Sequence, residues 1–155
     1  VDIHPDLRQV EFLIGRWVGR GSGFYPTIEP FEYLEEATYQ PVPGKPHLEY
    51  RQRTRNASTG EPLHAEAGYL RAIGPGRLEL VIAQPTGVVE VHTGGLDGTH
   101  LHFRAVAVVC SPTAVEVTDV ERHLEVLGDE LTYRLSLAVP GRGLTPHLEA
   151  RLHRR

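Results

Sequence analysis

A histidine that ligates a metal centre must be a neutral imidazole on a stiff support facing a dry space. His147, in Leu144-Thr145-Pro146-His147-Leu148-Glu149-Ala150, has the stiff support, because Pro146 fixes the backbone just before it. Strict alternation sets His147 with Glu149 and Arg151, opposite Leu148, Ala150 and Leu152. That is the wet face, unless a bulge shifts the phase, the cavity is partly polar or the residue sits at a rim. His64, between Pro62-Leu63 and Glu66-Ala67-Gly68-Tyr69, either lines a cavity or bonds a neighbour. His100 and His102 share one strand face, as two metal ligands can, but no third ligand is evident nearby. With Leu101 and Phe103 on the opposite face, these two imidazoles are expected to point to water.

Other chemistries lack their residues. None of the nine His forms HExxH or a zinc spacing with cysteine. No serine nucleophile elbow, Cys–His pair or phosphate-binding loop is present. Glu35 and Glu36 face opposite ways on a strand and make no acid/base pair. The single cysteine, Cys110, excludes an intramolecular disulfide and a multi-thiolate zinc site. It lies in the apolar strand end Val108-Val109-Cys110-Ser111-Pro112 and reads as a free thiol without catalytic duty. A net charge of −4 gives no footprint for nucleic acid or a membrane surface. No apolar run reaches membrane-spanning length and no signal-peptide pattern opens the chain, so a reducing cytoplasm is the expected compartment.

The elements that must position these residues read mostly with period two. Residues 5–13 form one short helix, with Pro5 in the first turn and Leu7, Val10 and Leu13 or Ile14 at helical spacing, stopped by Gly15. Ten strand candidates follow, at 15–24, 31–40, 47–56, 63–73, 77–84, 88–95, 99–109, 113–127, 130–139 and 147–153. Turn chemistry rich in the chain's 16 Gly and 12 Pro separates them. No amphipathic segment long enough for a parallel crossover intervenes, so neighbours pair as antiparallel hairpins. Ten short-looped strands in a chain of 155 residues hide their edges most simply by closing. The expected fold is all-β: a ten-stranded antiparallel up-and-down barrel with one short N-terminal helix, residues 1–155 forming a single domain. A barrel of this size holds a small ligand. Trp17, Gly19, Gly21 and Gly23 alternate onto one face of the first strand, where the glycines either clear room for a ligand or let a barrel corner coil.

The sequence resembles the nitrobindin family from about Leu13 to Arg151. Gly15-Arg16-Trp17-Val18-Gly19-Arg20-Gly21 fits the family's G-x-W-x-G-x-G and is followed by Tyr25-Pro26-Thr27-Ile28. Phe31-Glu32-Tyr33-Leu34-Glu35-Glu36, Gln52-Arg53-Thr54, the run from Gly60 to Tyr69, Ile82-Ala83-Gln84-Pro85-Thr86-Gly87 and Pro146-His147-Leu148-Glu149-Ala150 carry it further. Each motif is weak alone, but their number and order are specific. The resemblance implies a barrel similar in fold to fatty-acid-binding proteins, often dimeric, holding ferric haem b at its mouth. It makes His147 the iron ligand and catalytic residue, puts Thr27 beside the haem, and has His64 and Gln84 line the pocket. It further implies isomerisation of peroxynitrite to nitrate and binding of nitric oxide at an open iron position. Where many members have Lys in an A-K-E-V-T stretch, this chain has Ala114-Val115-Glu116-Val117-Thr118, so that contact to a haem propionate is missing.

The competing expectation is a carrier of a lipid or other apolar ligand. Such carriers hold a carboxylate with an interior arginine, for which Arg53 and Arg71 lie mid-strand, although solvent exposure suits either better.

Overall fold

Trp17 is fully buried, and its indole Nε1 donates to the Leu13 carbonyl at 2.9 Å, tying the first strand to the segment that precedes it. The computed structural model describes residues 2–155. That preceding segment is a 3₁₀ helix, Pro5–Leu13, broken by a non-helical backbone at Val10. It is tighter than an α-helix, yet it still buries Leu7, Val10 and Leu13, the residues the spacing selected. It seats on the barrel through Gln9, whose amide donates to the Gly74 carbonyl and accepts from the Gly76 N–H.

Ten strands follow: β1 Gly15–Tyr25, β2 Ile28–Pro41, β3 His47–Asn56, β4 Pro62–Gly74, β5 Arg77–Ala83, β6 Val88–Asp97, β7 His100–Cys110, β8 Asp119–Leu127, β9 Glu130–Ala138 and β10 Thr145–Arg154. Each pairs antiparallel with its sequence neighbour, and β1 with β10 closes the barrel. The up-and-down barrel expected from periodicity is therefore the fold observed.

One strand boundary is corrected. The expectation of a strand over 113–127 holds only from Asp119 onward. Residues 111–118 alternate in sequence, but Val115 is 83% exposed and nothing on either face buries the apolar set. The β7–β8 ladder itself runs only from His100↔Glu125 to Arg104↔Glu121. Without a neighbour to pair with, alternation has no cross-strand contacts to stabilise it.

The glycines of β1 are explained by what a side chain would strike. A Cβ on Gly19 would lie 2.1 Å from the Arg151 carbonyl, so there the β1 and β10 backbones approach too closely for any other residue. At Gly21 and Gly23 the space is filled by the rings of their β2 partners, Tyr33 and Phe31. Gly19 thus fits the structural reading, and Gly21 and Gly23 seat aromatic walls.

Candidate active site

The helix and Trp17 close one end of the barrel, and His147 lies at the other. The β1–β10 ladder ends at Gly23↔Leu148, so Phe24 and His147 face each other just beyond the last paired residues. Both strands are irregular here. The β1–β2 register shifts between Gly23 and Tyr25, and the β10–β9 register shifts between Pro146 and Leu148. His147 is the extra residue of that second bulge, which answers the alternation problem: it and Leu148 are both half-buried in succession.

The bulges leave the Phe24 carbonyl for His147, whose Nδ1–H donates to it at 2.9 Å. That bond fixes the tautomer with the proton on Nδ1 and the lone pair on Nε2. Burial lowers the His147 pKa below the usual imidazole value, against a smaller raising effect from the Phe24 carbonyl. The imidazole is therefore neutral and oriented, with Tyr25 packed edge-on to its ring at 5.9 Å.

His147 lines a cavity of about 270 Å³ together with His64 and Gln84. Its walls include Phe31, Tyr33, Leu137 and Leu148. Three of the four residues singled out from the sequence thus meet in one space. Thr27 does not line it and sits in the exposed turn between β1 and β2, three residues beyond Phe24.

Beneath the cavity lies a charged network that the sequence reading did not pick out. Arg122 grips Glu66 with Nη1 and Nη2, at 2.9 and 2.8 Å, and Glu90 with Nε and Nη2, at 3.1 and 2.9 Å. Tyr50 donates to Glu66 at 2.9 Å and His92 to Glu90 at 2.8 Å. The network reaches the cavity wall twice, where His64 Nε2 stands 3.3 Å from Glu66 and Gln84 donates to Glu90. Burial by itself would raise the Glu66 carboxyl, but the Arg122 charge and the bonds from His64 and Arg122 hold it well below the carboxylate range. Nearby Glu35 has no cation in contact, and burial pushes it up to about 7, with Tyr133 and Gln52 opposing. The alternation that buries Tyr33, Ala37 and Tyr39 also turns Glu35 inward, and the same holds for Arg122 between Val120 and Leu124. Reading the pattern through the charges would have found both.

Arg53 and Arg71 both point outward, where they pair with Glu36 and Glu79 on the barrel exterior. The interior arginine is Arg122, already held by two carboxylates. Among the described residues no helix is long and apolar enough to cross a membrane.

Residues 6–154 match the family described as the THAP4-like, haem-binding β-barrel domain. The chain belongs to this nitrobindin-type family. It is 48% identical over 157 residues to peroxynitrite isomerase 1 of Mycolicibacterium paratuberculosis, covering 99% of this chain and 97% of that protein. It is likewise 48% identical over 158 residues to peroxynitrite isomerase 2 of Mycobacterium marinum, with 99% and 98% covered. The crystal structure of Rv2717c from M. tuberculosis superposes with a TM-score of 0.92 at 44% identity, over 99% of each chain. The barrel fold is thus shared along nearly the whole length.

Proposed function

We propose that this chain, acting as one unit over residues 1–155, is a peroxynitrite isomerase that holds ferric haem b at the barrel mouth through His147. The observation that carries the reading is the His147 tautomer: Nδ1–H committed to the Phe24 carbonyl, Nε2 free, on a bulge that turns the ring toward the cavity. That is the donor arrangement an iron ligand needs. When bound, the haem supplies an iron with one position open to peroxynitrite or nitric oxide.

The chain's own residues do the rest. The Phe24 carbonyl keeps the imidazole from rotating and strengthens its donor nitrogen. Phe31, Leu137 and Leu148 supply an apolar part of the pocket wall, opposite which a bound group would be held away from bulk water. His64, anchored by Glu66, and Gln84, anchored by Glu90, are held in place on the pocket wall, and Gln84 keeps a second amide N–H to donate. Thr27 stands at the rim. Val115 offers no cation to a haem propionate, but Arg142 lies at the same rim, its guanidinium 6.0 Å from the centre of the Tyr25 ring.

The carrier reading is disfavoured by the interior. The cavity under the mouth measures about 40 Å³, room for a water or two rather than an acyl chain. Its arginine already gives four of its five N–H groups and its single charge to Glu66 and Glu90, so a fatty carboxylate would meet a net negative cluster.

Substituting His147→Ala tests the proposal. The barrel should remain folded, while haem affinity and peroxynitrite isomerisation are lost together. His64→Ala should weaken activity only mildly. An unchanged haem spectrum in His147→Ala, or loss of haem in His64→Ala alone, would overturn the assignment. Nitric oxide binding should follow the haem in every variant, and a site of action in the reducing cytoplasm suits the lone Cys110.

A further inference from the structure

On the outer wall of the barrel, far along the sheet from the mouth, β7 and β8 place three ligand-type side chains on one face. His102 and His123 are directly opposed across the ladder, and Glu121 is the diagonal neighbour. His123 Nε2 lies 2.9 Å from Glu121 Oε1, and His102 Nε2 lies 3.7 Å from Glu121 Oε2. The ligand atoms of all three fall within 4.8 Å of one another. A tetrahedral zinc ion with ordinary Zn–N and Zn–O distances needs adjacent donors about 3.3 Å apart. The cluster is near that spacing before any adjustment.

Two further features point to a ligand. His102 Nε2 is shielded from water and, among the described residues, has no hydrogen-bond partner, although it is aimed at the Glu121 carboxylate. An orphaned ring nitrogen beside an acid is costly unless something occupies the space between them. His123 also has a supporting partner. Its Nδ1 is 3.1 Å from His100 Nε2, so with His100 protonated on Nδ1 instead, His123 can carry its proton on Nδ1, donate to His100 Nε2 and present a bare Nε2.

We infer that His102, Glu121 and His123 form a second metal site, separate from the mouth, that takes a divalent cation of the zinc class with a fourth position open to solvent. His100 is its positioning residue. The stacked imidazoles of His102 and His123 are 4.1 Å apart with planes 9° from parallel. Their χ2 torsions are soft enough to tilt both lone pairs onto a common point. Arg104 competes for the same carboxylate, its Nη1 lying 3.1 Å from Glu121 Oε2. It is half-exposed and has Asp119 within 3.8 Å as an alternative partner, so the cation can displace it. The inference does not depend on haem binding.

The test is calorimetric titration of zinc into haem-loaded protein carrying no affinity tag, alongside the cobalt(II) absorption spectrum. Wild type should bind one zinc saturably, and cobalt should give intense tetrahedral bands. His102→Ala, Glu121→Gln and His123→Ala should each weaken zinc by about 100-fold or more, and His100→Ala by about tenfold. Arg104→Gln should tighten it, since it removes the competing guanidinium, which adventitious binding elsewhere would not reproduce. His147→Ala and wild type, both titrated without haem, should bind zinc equally, because the mouth supplies no ligand to this site. If His123→Ala fails to fold, the half-exposed His102→Ala carries the same test. No saturable binding in wild type, or undiminished binding in His102→Ala and Glu121→Gln, overturns the site.

Discussion

The two ends of the barrel use the same strands for opposite purposes. At the closed end, Trp17, Leu7, Val10 and Leu13 are fully buried. Arg154 lies over the Trp17 ring at 4.3 Å, donates to the Phe12 and Ile14 carbonyls and pairs with Asp129. The Arg154 guanidinium there finishes off backbone ends and caps an aromatic face. Toward the mouth, Arg122, Glu66, Glu90, Glu35 and Gln52 are buried too, but as polar groups gathered in the interior. The difference is what plugs each end. A helix covers the bottom with side chains, whereas the top keeps a space, and the groups below that space must satisfy their charges internally.

The comparison makes graded expectations. The largest stability effect should come from Arg122→Met, which leaves Glu66 and Glu90 facing each other without a cation, at a cost of about 5 kcal/mol near neutral pH. The loss should shrink in acid as those carboxylates take up protons, which urea titration at several pH values would reveal. A pH-independent loss would mean that packing, not charge, is what Arg122 supplies. Trp17→Ala should cost about 4 kcal/mol by opening the closed end. Haem binding by the surviving folded protein should be unchanged, and a shifted haem spectrum would show the two ends to be coupled.

Glu35→Gln sharpens the mouth's account further. With the Glu35 pKa raised to about 7 in the folded chain from 4.5, the folded state binds a proton that the unfolded state has lost between those values. Stability should therefore fall as pH rises through that window and level off above it. In Glu35→Gln that fall should disappear, making the variant more stable than wild type by up to roughly 3 kcal/mol at pH 8. The smallest effect is expected from Cys110→Ala. The half-buried free thiol makes a weak bond to the Val117 carbonyl, at 3.5 Å, so stability should change by less than about 1 kcal/mol with haem binding intact.

Ten strands and the buried face of the N-terminal helix were legible in the chain itself. Alternation and turn residues are local signals, and each hairpin needs information from only a few neighbouring residues. The same locality misread 113–118, where the pattern is present and the pairing partner is not. It also left His147 on the wrong face, because a bulge depends on how two strands meet and not on either sequence alone. The family motifs, read as a whole, drew attention to His147 before its geometry was known. What only the tertiary structure decided is pairing across distance. Arg122 meets Glu66 and Glu90, 56 and 32 residues away, and His102 meets Glu121 and His123 across a ladder. Period two says which way a charged side chain points. Only closure of the barrel brings it the partner that decides whether it is a structural ion, a proton donor or a ligand.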